Sequence, residues 1–248
     1  MGIKSVKRYY ISKKSKILSN FDKKIGIFRK VLLQQLGIPK TEMILKEIKV
    51  EYINLIPEII HIESKKNFLL REFKNISIAL AFSKVMKQFS YSKEEIAVLI
   101  YEIQKEMYNS AITGKINIMR IVFNSLNSFP LNLIYKNIIK IYGKAAEKRE
   151  KMSNMQIHYI KGDGKNFDYG VDILSCPIYD MWQKHDVIDI LPYVCLFDFF
   201  KSAITNSGLI RTMTLSEGRE KCDNRFKKGR RPQNRQKTQF LTRNSLSK

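Results

Sequence analysis

The sequence predicts an α+β protein, with a helical N-terminal part followed by a small antiparallel sheet with two inserted helices. Three observations carry this expectation. Over residues 15–150 apolar side chains recur at three- and four-residue spacing, the period of one helix face. At Met155 that period gives way to alternation, the signature of half-buried strands. Beyond Lys228 neither period survives. The expected division is a helical part over 1–150, an α+β part over 151–228 and a basic disordered tail over 229–248.

Each element has a local reason. Ile17, Leu18, Phe21, Ile25, Phe28, Val31, Leu32 and Leu36 line one face of a first helix over 15–36. Gly37 ends it and Pro39 prevents continuation. Thr41 is placed to cap a second helix carrying Ile44, Ile48, Tyr52, Ile53 and Leu55, which Pro57 kinks or ends. A third helix is expected over 65–89. Ser92 and Glu95 have capping-box spacing, so a fourth should begin at Lys93. Two more fit 116–126 and 131–150, separated by Ser128-Phe129-Pro130, and His61 reads as a core or boundary residue among apolar neighbours. Residues 156–160 and 167–173 alternate around Gly162-Asp163-Gly164, a β-hairpin pattern. Pro177 opens a short helix over 177–184, since proline suits the first helical position. A helix over 191–204 and two β-segments over 209–215 and 221–227, joined through residues 216–219, complete the pattern.

Composition narrows the classes. The chain has 44% hydrophobic and 27% charged residues, a globular balance. Three cysteines cannot all pair, and the first residues lack an apolar run before a cleavage site, so a cytoplasmic protein with reduced thiols is expected. No run approaches the roughly 18 apolar residues of a membrane span. The net charge is +22, and residues 219–248 hold eleven Lys or Arg against Glu220 and Asp223. Lysine elsewhere is diffuse, as on a solvated face. The clustered tail can contact nucleic acid without sequence preference.

The chemistry-bearing residues concentrate between Phe167 and Phe226. Cys176, Cys195 and Cys222 all lie there, together with the single tryptophan, Trp182. Each cysteine has an aspartate close by: Asp180, Asp198 and Asp223. Cys195 and Asp198 are three apart and share a helix face, as do Cys176 and Asp180, four apart. Cys176 stands at a helix N-terminus, where the macrodipole and free N–H groups favour a thiolate. Lys221 and Arg225 bracket Cys222 and would lower its pKa if near. Cys195, inside the apolar run Tyr193-Val-Cys-Leu-Phe197, also fits an ordinary core thiol. Three cysteines with Asp198 or His185 could hold a metal, but structural zinc sites use close pairs such as CxxC, and none occurs. No metal and no cofactor are therefore expected. His185 falls at a helix C-terminus as a cap, a solvent-facing residue or a catalyst. Glu217-Gly218 sits in a turn one connection from Cys222.

These residues resemble the L-2-amino-thiazoline-4-carboxylic acid hydrolases. The resemblance lies in Phe167-Asp-Tyr169 leading to Cys176, Cys195 with Asp198, Thr214-x-x-Glu217-Gly218, and the closing Cys222-Asp223-x-Arg225-Phe226. Residues 80–103 are similar to the family's helix-loop-helix, giving coverage of about 70–228. The position between Asp223 and Arg225, usually aromatic in the family, is Asn224 here. The resemblance implies water-driven ring opening of a cyclic isothiourea, giving an S-carbamoyl cysteine. It suggests Cys222 as nucleophile, with Cys176 and Cys195 as supporting or alternative nucleophiles. Asp198 and Glu217 would form an acid/base or amidine-binding pair, and Arg225 would anchor a substrate carboxylate beside Asp223, Asp180 and His185. The partner expected is thus a carboxylate-bearing small molecule. Alternatives are a non-catalytic small-molecule or metal-binding module, and a nucleic-acid-associated protein led by its tail.

Overall fold

The computed structural model describes residues 12–59, 68–112 and 155–235, with side chains of 68–74 and 111–112 left aside. The helices expected over 116–126 and 131–150, and His61, lie outside the described residues. Among the described residues four long helices come first: α1 (Lys14–Leu36), α2 (Ile38–Leu55), α3 (Phe68–Gln88) and α4 (Lys93–Ile112). After them follow β1 (Ile157–Lys161), β2 (Tyr169–Ile173), α5 (Pro177–Lys184), α6 (Leu191–Cys195), α7 (Phe197–Thr205), β3 (Leu209–Arg211), β4 (Cys222–Phe226) and β5 (Gln233–Asn234). The architecture is α+β, as the sequence predicts. Among the described residues no helix is long and apolar enough to cross a membrane.

The chain parts into two compact units, one of Met1–Glu106 with Met181–Ile190, the other of Met107–Asp180 with Leu191–Lys248. Residues 181–190 join the helical unit because Trp182, Val187 and Ile190 are all buried apolar side chains.

In the helical unit the apolar stripes behave as their spacing requires. Ile17, Phe21, Phe28, Val31 and Leu32 of α1 are buried, as are Ile44, Ile48 and Tyr52 of α2. Phe21 stacks on Tyr52 with ring centroids 4.9 Å apart, and Phe28 meets Phe82 edge-on at 5.5 Å. The α2 helix begins at Ile38, earlier than a Thr41 cap would set it, because Pro39 occupies its first turn where a missing N–H costs nothing. Thr41 is instead fully buried. The capping box forms in both directions: Ser92 N–H donates to Glu95 at 2.8 Å, and Glu95 N–H donates to Ser92 Oγ at 3.3 Å.

The sheet has the order β1-β2-β4-β3-β5. The first four strands pair antiparallel and β5 lies parallel to β3, so the sheet is mixed rather than wholly antiparallel. The β5 pairing also shows that the segment expected to be disordered from residue 229 onward carries sheet hydrogen bonding as far as Arg235, whose N–H donates to Arg211 O at 3.0 Å. The hairpin register sets Ile157 opposite Ile173 and Lys161 opposite Tyr169. Across β2 and β4, Asp172 faces Asp223, Gly170 faces Arg225 and Tyr169 faces Phe226, their rings stacked at 4.8 Å. A Cβ on Gly170 would stand 2.7 Å from Arg225 Cδ, so glycine there lets the arginine lie across the strand. Gly208 turns the chain into β3 at φ +65°, a conformation glycine adopts without strain.

The helix expected over 191–204 is broken at Leu196 into α6 and α7. Around the break the backbone bonds shorten to three-residue steps, Leu196 N–H to Tyr193 O at 3.3 Å and Phe199 N–H to Leu196 O at 3.0 Å. Cys195 O is taken by the guanidinium of Arg211 at 2.7 Å. A distant cation therefore satisfies the carbonyl that the broken ladder releases.

Candidate active site

The three cysteines belong to the sheet-bearing unit and all are free thiols. Cys176 precedes α5, and the amides of Tyr179 and Ile178 approach its sulfur. Cys195 ends α6, where the nearby Ser216 hydroxyl works to lower its thiol. Cys222 opens β4, and Leu215 N–H donates to its Sγ at 3.4 Å. The thiols converge: Cys176 and Cys195, Cys195 and Cys222, and Cys222 and Cys176 each interact electrostatically.

Convergence does not make them thiolates. Burial pushes Cys176 up to about 11, Cys195 up to about 12 and Cys222 up to about 11. The amides at the start of α5 pull the Cys176 thiol down but lose to desolvation. The helix N-terminus therefore fails to give the thiolate that its position suggests. The main influences that lower Cys222 are the Leu215 amide and Arg211, not Lys221 or Arg225. Arg225 stands two residues after Asp223, on the face of β4 opposite to Cys222, Lys221 directly precedes the strand, and both bind Asp172, at 2.7 and 2.8 Å. Burial opposes ionisation of Asp172, but those two cations together hold its carboxyl below the usual carboxylate range.

The cation on the thiol side is Arg211, which the sequence reading passed over. Strand alternation puts Leu209 and Arg211 on the face of β3 shared with Cys222, Asn224 and Phe226 of β4. Arg211 is only 2% exposed. Its Nη1 donates to Asp198 Oδ2 at 3.0 Å, its Nη2 donates to Cys195 O, and its Cζ lies 4.9 Å from the centre of the Phe199 ring. It lowers the thiols of Cys195 and Cys222 while Asp198 raises them. The signal in the sequence was an arginine two residues after an inward leucine in a strand, a position where charge is kept only with partners. The side-chain carbonyl of Asn224 is buried without a hydrogen-bond partner.

The remaining expected site residues fall as follows. Asp198 pairs with Arg211 and, at 3.8 Å, with Lys201. Glu217 ends a 3-10 turn (Leu215–Glu217) and accepts from Thr214 Oγ1 at 3.4 Å. Asp223 is occupied by its own unit: it accepts the N–H groups of Thr212 and Met213, both at 2.8 Å, and the Thr212 hydroxyl. Arg225 binds Asp172 and lies 5.6 Å from the Phe167 ring centre. Asp180 is exposed, within electrostatic range of Cys176. His185 belongs to the helical unit, where Nδ1 meets Lys84 Nζ at 3.2 Å and Nε2 meets Glu58 at 3.1 Å. Its side chain is 12% exposed, so it is packed rather than solvent-facing. Among the described residues no group of three His, Cys, Asp or Glu is arranged to hold a metal ion.

Fold and site together define an α+β protein with thiols, an aspartate and a buried arginine gathered on its sheet-bearing unit. The family model of L-2-amino-thiazoline-4-carboxylic acid hydrolase matches residues 71–226, well over half of the chain, and the protein belongs to that family. No curated relative and no solved structure matches it.

Proposed function

We propose that the protein hydrolyses a C–N bond of a small cyclic amidine or isothiourea, with the thiol cluster as its reacting centre. The observation that supports this most is the meeting of Cys176, Cys195 and Cys222 beside Arg211 and Asp198. A thiol that loses its proton adds to the amidine carbon. The bond from that carbon to the ring nitrogen breaks, and the nitrogen takes a proton from a carboxylic acid, the role given to Asp198 or Glu217. Water then adds to the same carbon and expels the thiol, so its oxygen becomes the carbonyl of the product. Arg211 takes the anchoring part expected of Arg225, because it stands on the thiol face and its charge favours both a thiolate and a substrate carboxylate. Cys222 remains the nucleophile of this scheme, with the Leu215 amide beside its sulfur.

One observation favours a second reading. Burial holds all three thiols in the neutral form, which suits attack by water activated at Asp198 or Glu217 instead. Turnover of 2-aminothiazoline-4-carboxylate by Cys222→Ser and Asp198→Asn separates the two. Loss of turnover in Cys222→Ser supports covalent attack. Full turnover in Cys222→Ser with loss in Asp198→Asn overturns it in favour of activated water. Absence of turnover in the unaltered protein removes the hydrolase reading for this substrate.

A further inference from the structure

We propose that Asn224 selects the substrate, its side-chain carbonyl accepting a hydrogen bond from an amino group on the carbon that the thiol attacks. The proposal rests on the hydrolase reading with Cys222 as nucleophile, and it names the part of the small molecule that the site recognises.

Strand alternation carries Asn224 to the thiol face. It lies two residues after Cys222 in β4, so the two side chains leave the strand on one side, about 7 Å apart at their bases. Across β2 the partner of Asn224 is Val171, while Ile173 stands opposite Cys222. On the other flank Ile210 pairs with Arg225, so the next residue, Arg211, comes alongside Asn224. A carboxamide is thus set between an apolar side chain and a buried cation, next to the nucleophile on its own strand.

No protein group takes up its oxygen. Asn224 Oδ1 is buried and has no hydrogen-bond partner. Val171 has no polar side-chain atom to offer, and Nη1 and Nη2 of Arg211 go to Asp198 and to Cys195 O. Arg225 Nη1 reaches the main-chain carbonyl of Asn224 at 3.1 Å, not the side chain. A bare buried acceptor costs folding stability, whereas an apolar group of the same shape does not. Held at a loss beside a reacting thiol, it fits a site that a ligand completes. The residue is half-buried and the end torsion of an amide is soft, so the oxygen can turn to meet an incoming donor.

A cyclic isothiourea brings that donor. Its reacting carbon bears an exocyclic amino group, whose N–H bonds point away from the ring. With this carbon at the Cys222 sulfur, the amino nitrogen falls within reach of the residue two places along the strand. The carboxamide has no acidic proton to give, so the nitrogen it holds stays on the carbon. The ring nitrogen, which receives the proton from Asp198 or Glu217, is the one that leaves.

The test compares 2-aminothiazoline-4-carboxylate with 2-methylthiazoline-4-carboxylate, in which a methyl group of similar size replaces the donor. Affinity for the whole chain is read by isothermal titration calorimetry, where the prompt heat of binding separates from any continuing heat of turnover. The unaltered protein should prefer the amino compound by about ten- to a hundredfold. Asn224→Leu should abolish that preference by weakening the amino compound alone, and should raise the melting temperature because a bare acceptor is gone. Asn224→Asp, which keeps an acceptor, should keep the preference. A preference that survives in Asn224→Leu overturns the proposal, as does equal weakening of both compounds or a lower melting temperature or failure to fold, which would mark the amide as a structural group or the seat of a buried water. Binding of neither compound by the unaltered protein overturns it too. Selective binding lost in Asn224→Leu but without turnover leaves this inference standing and sinks the hydrolase reading alone; turnover with a preference indifferent to Asn224 does the reverse.

Discussion

Replacing Arg211 with methionine tests both the packing and the electrostatics of the site. Methionine keeps the length of the side chain and its contact with the Phe199 ring, so little apolar packing is lost. What disappears is the charged donor to Cys195 O at 2.7 Å, worth about 1.5–3 kcal/mol for a hydrogen bond to a charged group. The pair with Asp198 adds less, because that carboxylate is 46% exposed and such pairs contribute at most about 1 kcal/mol. The expected loss is about 2–4 kcal/mol. For a chain of this size each kcal/mol moves the melting temperature by about 2–4 °C, so thermal unfolding should shift down by roughly 4–16 °C. Arg211→Lys, which keeps the charge but not the fork, should fall between.

A second readout separates charge from packing. Arg211 is among the main groups that lower the thiols of Cys195 and Cys222, whereas the amides at the start of α5 are what chiefly pull Cys176 down. In Arg211→Met the pH midpoint for alkylation should therefore rise at Cys195 and Cys222 and move less at Cys176. Unchanged stability together with unchanged midpoints would show that Arg211 is a bystander, and the account of the broken helix would fall with it.

Three further outcomes follow from the same geometry. A thiol whose pKa is raised by folding, from 9.0 to about 11 or 12, contributes stability that is complete below the unfolded value and is lost as pH rises through the folded one. Denaturation midpoints should thus fall above about pH 9, and Cys195→Ser should flatten that alkaline limb. Asp172 has the opposite sign: its depressed carboxyl contributes stability that is present above the unfolded pKa and lost as pH falls toward the folded one. Gly170→Ala, whose Cβ displaces Arg225, should bring the folded carboxyl back toward its unfolded range, so that the acid loss is smaller and is complete at higher pH. Asp223→Ala strands two amides and a hydroxyl and should cost about 2–4 kcal/mol in urea unfolding. Asp223→Asn, whose carbonyl still accepts, should recover part of it; equal losses in both would refute the role.

What the sequence made legible is what local rules decide. The apolar spacing of α1 and α2, the reciprocal Ser92–Glu95 cap, Pro177 at the head of α5 and the alternation on either side of Gly162 each need only a few neighbouring residues. The structure shows all of them. The gathering of cysteines near aspartates was also visible, as a clustering of types. Their protonation was not, because burial is a property of the packed unit and it outweighed the helix-terminal and lysine effects read from adjacency. The break at Leu196 was hidden for the same reason. An unbroken apolar run reads as one helix unless the partner of Cys195 O, sixteen residues onward, is already known.

The misplacement of the anchoring cation shows where adjacency fails most sharply. Arg225 lies three residues from Cys222 in the chain, and in a helix that spacing would bring them together. In a strand an odd separation sends them to opposite faces, and the register confirms it: Arg225 stands over Gly170, on the side where Asp172 waits. Arg211 is eleven residues from Cys222 and on another strand, yet its parity relative to Leu209 brings it to the thiol face. The decision between the two arginines therefore rests on β4 being extended from Cys222 onward, and on a two-strand register that no single segment encodes. A one-residue insertion between Cys222 and Arg225 would reverse the assignment: it would turn one of the two residues to the other face, leave either Asp172 or the thiols without their expected partner, and unfold or silence the unit that carries them.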